Sequence, residues 1–484
     1  MKNKTNLTSF KLLIESSDYL KGVDMKTFLV IFLTMSLIPC MAGQNYKVEW
    51  VRSYGAVDGT LTPNLVCDSN RNVYVCGAFY SKSNFGNGIS LSGSNQQDGF
   101  IARYNSNGVI KWAKLITGSY SYNYVTAAAI DINSNIWITG WFYGNLNADG
   151  YQLQSYGDND VLISKLDSNG KILLFKQAGA KSSDGAWDIK MNNNNGFYIC
   201  GGFTDNMNFG NGISLNGKHA STFFAAYDAN NNCFKAYQCG SPEFDNFHNF
   251  SYLRNGNILA LSNYKTSQDF LNGNFYYSKG EMDISLAEFD RNLNLLKTSS
   301  YGSSGPDYAI NSSTDDNDNF YISGIFGGQM DLGNNINIKP VGSSNGYIAK
   351  FDRNSICQWA KTVPSPNSKM CHTTTKDGFS YVAGSFNKNV DLGNGIVLNS
   401  KGEQLFIAGY DANGNCQWAF NGTSDDATSL SYPIRITYDS DNNLYVTGLF
   451  KGIVDFGNGI RLSSNELQGF LLKLTPGASC SDDN

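Results

Sequence analysis

The residues best suited to chemistry stand just ahead of a recurring apolar block. They are Asp58, Tyr120, Tyr122, Tyr124, Asp184, Trp187, Glu243, Asp245, His248, Asp307, Tyr308, Asp425, Asp426 and Tyr432. Acids mixed with aromatics suit two kinds of work. Carboxylates bind cations or, as a pair at the right separation, act as acid and base on a glycosidic bond. Aromatic faces stack on sugar rings. Yet Asp58, Asp184, Asp245, Asp307 and Asp426 hold comparable places ahead of their blocks, and aspartate there is explained by turn formation. The departures from the pattern are the better pointers: the Tyr120, Tyr122, Tyr124 run, Trp187, and the Glu243–His248 stretch. The residues expected to hold a ligand are therefore Tyr120, Tyr122, Tyr124, Asp184, Trp187, Glu243, Asp245, His248, Asp307 and Asp425. No catalytic residue is assigned.

Other reactive motifs are missing. The histidines His219, His248 and His372 are scattered, without an H-E-x-x-H pair or a cysteine–histidine spacing that would hold zinc. There is no nucleophile elbow and no phosphate-binding loop. The turns Asp439-Ser440-Asp441-Asn442-Asn443 and Asp315-Asp316-Asn317-Asp318-Asn319 look like calcium loops, but their twelfth positions are Phe450 and Phe326 where a bidentate glutamate is needed. Neither a metal nor a cofactor is expected. Cys233, Cys357 and Cys416 each lie five residues after the acids Asp228, Asp352 and Asp411. One repeat position on different units puts them beyond the ~7 Å reach of a disulfide, so they are expected as buried, inert thiols. Cys67 with Cys76, and Cys233 with Cys239, are expected unbridged.

The elements that position these residues follow from self-similarity. The block reads Val73-Tyr74-Val75-Cys76-Gly77, Ile136-Trp137-Ile138-Thr139-Gly140, Phe197-Tyr198-Ile199-Cys200-Gly201, Phe320-Tyr321-Ile322-Ser323-Gly324, Ser380-Tyr381-Val382-Ala383-Gly384 and Leu444-Tyr445-Val446-Thr447-Gly448. A decayed copy, Ile258-Leu259-Ala260-Leu261, falls between the third and fourth of these. With Leu261 as its glycine equivalent, the steps are 63, 61, 60, 63, 60 and 64 residues. Each block leads to a glycine turn (Asn84-Phe85-Gly86-Asn87-Gly88), an apolar strand (Gly99-Phe100-Ile101-Ala102-Arg103-Tyr104), an Asp/Asn turn and a tryptophan strand (Ile110-Lys111-Trp112-Ala113-Lys114). A further strand returns to the next block, giving four short strands per unit. The block is apolar on both sides of the pleat, so both faces of each sheet must be covered. Radial stacking meets that condition, and the expected fold is all-β: a seven-bladed β-propeller of four-stranded antiparallel blades. The last unit stops after Phe470-Leu471-Leu472-Lys473-Leu474, while Val48-Glu49-Trp50-Val51-Arg52 is an orphan tryptophan strand. The N-terminal strand is expected to complete the last blade and close the ring. In this fold the loops carrying the candidate residues gather at one mouth of the axis.

The sequence Tyr445-Val446-Thr447-Gly448, the turn Asp455-Phe456-Gly457-Asn458-Gly459 and the strand Ile348-Ala349-Lys350-Phe351-Asp352 resemble the bacterial SBBP β-propeller repeat, over about residues 47–475. The resemblance implies the propeller architecture and an exported Bacteroidota-type surface protein; it implies no shared catalytic set. The composition agrees with this in kind. Of 484 residues 50 are glycine, only 9 are proline and 16% are charged, and Lys+Arg 36 against Asp+Glu 41 gives a net charge of −5. No basic stripe exists to displace phosphate counterions, so nucleic acid is not an expected partner. Residues 25–43 read as a signal peptide: Met25-Lys26, an apolar run to Ile38, then Ala42-Gly43. The polar residues 1–24 suggest an upstream start, 44–475 form the propeller, and 476–484 are a short polar tail. Pro39 before Cys40 departs from a lipoprotein box, so secretion or surface display without lipid is expected. The chain is expected to act as an exported, non-catalytic, monomeric module. Its partner would be a protein or glycan ligand at the axial face, with no membrane span once the leader is removed. A carbohydrate-active hydrolase or lyase with axial carboxylates, and a purely structural envelope component, are the alternatives.

Overall fold

A computed structural model of the chain describes residues 46–56, 63–118, 122–240, 246–271, 273, 275–376 and 378–477. The expected leader, the extension before it, Cys40, Asp58, Tyr120, Glu243 and Asp245 lie outside the described residues. The described residues fold as an all-β propeller. Six of its sheets are four-stranded and antiparallel, and the expectation of seven such blades is corrected at the third repeat unit. There the sheet has six strands. A hairpin from the following unit, Ser267–Asp269 with Phe275–Tyr277, joins its outer strand through the pair Gly240↔Asp269. In other units the same connection either prolongs the second and third strands, as in Val73–Gly86 with Ile89–Tyr104, or forms a detached hairpin, as in Asn145–Ala148 with Tyr151–Gln154. The decayed fourth unit thus sends its hairpin sideways.

The N-terminal strand Tyr46–Ala56 pairs antiparallel with Arg461–Pro476, so the last unit takes its outer strand from the start of the described chain. That pairing covers a sheet edge that would otherwise offer free N–H and C=O groups. Double-sided burial appears directly in the block: Val73 and Val75 enter one core cluster with Trp50 and Tyr445, while Tyr74 and Cys76 enter another with Ile138 and Leu162. All four block residues are fully buried. The register also corrects one alignment. Ser262 pairs with Phe247 as Gly201 pairs with Ala186, so Ser262, not Leu261, stands where other units carry glycine.

The Asp/Asn turns close on themselves. Asp439 accepts from the Asp441 and Asn443 backbone N–H groups at 2.9 and 3.0 Å, from Asn443 Nδ2 at 2.8 Å and from the Tyr445 hydroxyl at 3.0 Å. Asp68, Asp131 and Asp315 repeat the arrangement. Their lone pairs are spent on the hairpin, which is why these acids resemble calcium loops in sequence alone. Among the described residues no group of three metal-ligating side chains occurs. Cys67, Cys76, Cys200, Cys233, Cys239, Cys357 and Cys416 are free thiols. Burial pushes Cys233, Cys357 and Cys416 up to about 12, which leaves them protonated and inert.

Candidate axial site

Each unit sends its first strand to the propeller axis. These inner strands are Asn64–Cys67, Tyr122–Ile130, Asp184–Met191, Asn246–Tyr252, Tyr308–Thr314, Lys369–Lys376 and Leu430–Tyr438. In all but the first, the ladder to the neighbouring strand skips one residue, at Thr126, Trp187, His248, Ile310, Cys371 and Ile434. A bulge leaves a residue unpaired and re-aims its side chain. Thr126, Trp187, His248 and Ile310 all line one axial cavity of about 580 Å³. The loops contribute Lys265 and Met282 to its mouth, Tyr308 heads its inner strand there, and Arg435 enters from the last unit's inner strand. A second chamber of about 490 Å³ lies toward the other ends of the inner strands, where Asp188, Lys190, Asn311 and Thr437 border it. Trp187, His248 and Arg435 border both chambers and stand at their junction.

Hydrogen bonds between inner strands hold this wall rigid. Thr126 donates to the Ala186 carbonyl at 2.7 Å, Asn249 Nδ2 to Asp188 at 3.0 Å, Ser312 to Asn249 at 2.8 Å and Thr375 to the Thr314 carbonyl at 2.6 Å. His248 is half-buried within the lining of both chambers. That confinement, with the Arg435 guanidinium nearby, pushes its pKa down to about 4, so it is neutral at physiological pH. Among the described residues, those lining the outer chamber include two cations, Lys265 and Arg435, and no carboxylate.

The expected acids that are described lie elsewhere. Asp184 heads its inner strand, but its carboxylate turns back to accept the Ala180 N–H at 2.7 Å. Asp307 accepts the Ser303 N–H in the same four-residue pattern. Asp98, Asp160, Asp283 and Asn345 do likewise at the starts of third strands, from Ser94, Tyr156, Lys279 and Val341. The acids are loop staples of the repeat. Two of them meet around Gly179: a β-carbon there would stand 2.5 Å from Asp160 Oδ1 and 2.9 Å from Asp184 Oδ2. Burial, with the Asp160 charge beside it, raises Asp184 to about 8; burial raises Asp160 to about 6. Asp283 is likewise raised to about 6 by burial and by the neighbouring Asp307, itself raised by burial.

Of the remaining expected residues, Tyr124 is buried with its ring 6.1 Å from that of Trp141, and Tyr122 is exposed. Asp425 is on an exposed loop 3.9 Å from Arg461, and its neighbour Asp426 is held at about 2 by hydrogen bonds from Thr428 and Ser429. Of the described candidates, the axis therefore gathers Trp187, His248 and Tyr308, and not Asp184, Asp307, Asp425, Tyr122 or Tyr124. Sequence reasoning missed Arg435 and Lys265. Arg435 had a signal: it follows the bulge, where the corresponding residues Asp188, Asn249 and Asn311 are polar as well.

These features define a β-propeller with an axial cavity of mixed aromatic and cationic lining. No family model and no curated protein sequence matches the chain. Among solved structures, it is similar to a protein of unknown function from Bacteroides caccae, with 11% identity, TM-score 0.33 and coverage of 66% of this chain and 89% of that one. It is similar to a member of the duf4221 family from Bacteroides vulgatus, with 10% identity, TM-score 0.34 and coverage of 90% and 99%. It is also similar to YCF48 bound to D1 peptide, with 9% identity, TM-score 0.41 and coverage of 89% and 97%. Among the described residues no helix is long and apolar enough to cross a membrane.

Proposed function

We propose that this chain is an exported, non-catalytic binding module of the SBBP-like kind, a single propeller behind a leader, whose axial cavity receives an anionic group. One observation carries the reading. Trp187, His248 and Arg435, from three separate inner strands, meet where the two chambers join, with Lys265 and Tyr308 at the mouth. A concave, partly apolar site with a few convergent polar groups is the usual form of a ligand pocket. Guanidinium and ammonium groups favour a carboxylate, since the described residues lining the outer chamber include no competing one, and the indole offers a flat face beside it. The acid–base reading lacks support here, because Asp184 and Asp307 spend their carboxylates on loops.

The test is calorimetric titration of the purified mature chain with oligogalacturonate, with poly-glutamate peptide and with uncharged counterparts of each. Saturable binding of a charged member, weakened at least tenfold by Arg435→Gln and by Trp187→Ala, is the expected result. Binding indifferent to both substitutions would place the ligand elsewhere and defeat the reading.

A further inference from the structure

Three units share an inter-unit joint. In the first, Arg103 and Trp112 both donate to the carbonyl of Ser168 in the next unit's Asp/Asn turn, at 2.8 and 3.0 Å. In the fifth, Lys350 and Trp359 donate to Ala412 at 3.2 and 3.0 Å. In the last, Lys473 and Trp50 donate to Ser106, each at 3.1 Å. Each tryptophan also packs against the block tyrosine of its own sheet, Tyr74, Tyr321 or Tyr445. The joint fills the gap between neighbouring sheets with an indole and a long cationic stem.

The third unit has lost both fillers. Register places Ala226 at the position of Arg103, Lys350 and Lys473, opposite the block tyrosine Tyr198. Lys235 stands at the tryptophan position, opposite Ala226. Lys235 reaches away to Asn294 Oδ1 at 2.7 Å. The equivalent turn carbonyl, that of Arg291, is met instead by the Tyr198 hydroxyl at 2.8 Å. The joint is kept by a hydrogen bond while its volume is vacated. A cleft of about 410 Å³ opens there between the third and fourth units.

We infer that this cleft is a second binding site, distinct from the axial cavity, that takes a hexopyranose unit of a neutral glycan. Its aromatic walls are Tyr198, Tyr252 and Phe234, the last 43% exposed. Asn193, Asn194 and Asn292 are exposed around it and supply both donors and acceptors. A sugar ring presents apolar C–H faces and a rim of hydroxyls, which is the complement of aromatic walls with an amide rim. Asp228 and Arg291 both line the cleft with opposite charges, which favours a neutral ligand over an ionic one.

The test titrates the purified mature chain with cellohexaose, laminarihexaose, mannohexaose and maltohexaose, followed by calorimetry. At least one hexaose should bind saturably. The double variant A226K/K235W restores the joint found in the other three units; it should keep or raise the melting temperature and weaken that binding at least tenfold. Phe234→Ala removes an exposed ring without disturbing the core and should weaken it to a similar degree. Trp187→Ala, in the axial cavity, should leave it unchanged, which separates this site from the axial one. Failure of all four hexaoses to bind, or binding that survives both A226K/K235W and F234A, would overturn the assignment.

Discussion

Replacing Asp184 by asparagine should stabilise the protein at neutral and alkaline pH, although it removes a native hydrogen-bonding carboxylate. Asp184 is 2% exposed and shares the space around Gly179 with Asp160. Its pKa is raised from an ordinary 3.8 to about 8. A carboxyl raised in the folded state contributes stability that is complete below the unfolded pKa and is lost as pH climbs toward the folded one. At 1.36 kcal/mol per unit, a rise of roughly four units amounts to about 5 kcal/mol at pH 8. Relaxation and water entry reduce this, and half, about 2–3 kcal/mol, is the working figure. Asparagine keeps the acceptor for Ala180, and its amide can donate toward Asp160 Oδ1, which is buried and unpartnered. For roughly 430 folded residues the entropy scale gives about 1 °C per kcal/mol, so calorimetry at pH 8 should show D184N melting about 2–3 °C above the parent chain. At pH 4.5, where both side chains are neutral in the folded state, the difference should shrink below about 1 °C. A variant that melts at or below the parent temperature at pH 8 would refute the idea that this carboxyl is held protonated by its surroundings.

His248 carries the opposite slope: lowered from 6.5 to about 4, it contributes stability that is present above pH 6.5 and lost as pH falls toward 4. In the D184N background, H248Q should therefore flatten the loss of melting temperature between pH 7 and 4.5, by about 1–2 kcal/mol after allowing for its contact with the chamber; parallel curves would contradict this. Trp50→Ala should cost about 3–5 kcal/mol in denaturant unfolding, since Trp50 is 5% exposed in the strand that pairs with Arg461–Pro476. Asp439→Ala should cost about 2–4 kcal/mol by orphaning the Tyr445 hydroxyl and two backbone N–H groups, while calcium or a chelator should leave the parent melting temperature unchanged.

The architecture was legible because it is enforced many times over. A block with no polar face, repeated about every 62 residues, admits few arrangements other than radial sheets. The orphan strand around Trp50 could be matched to the truncated last unit because both keep the repeat pattern. What was not legible is equally physical. Nothing in the segment Ser267–Tyr277 announces that its hairpin will pair with the sheet before it, because edge pairing is decided by which backbone edge lies within reach. The direction of the Asp184 carboxylate was hidden for a related reason. Sequence fixes that Asp184 stands at the head of an inner strand, but not that its carboxylate folds back onto residue 180. The bulges were invisible too: one skipped residue decides whether Trp187 and His248 face the axis or the sheet.

The distribution of function over the molecule follows from that contrast. Every faithful copy of the repeat spends its polar atoms locally: Asp439 on its own turn, Asp307 on its own loop, Trp359 on the neighbouring carbonyl. A side chain whose bonding is complete within the scaffold has little left for a ligand, so binding capacity must come from positions where units differ. The axis provides such positions, because the bulge residue is not fixed by the repeat and varies between units, as in Thr126, Trp187, His248 and Ile310. The third unit provides another through loss. Exchanging a joint tryptophan for lysine forfeits packing worth about 3–5 kcal/mol in a buried setting. The accompanying change to Ala226 and the transfer of the turn carbonyl to Tyr198 leave the joint bonded while the space stays open. Random decay would leave that carbonyl without its donor, whereas a cleft kept open beside a preserved hydrogen bond is what a binding site requires.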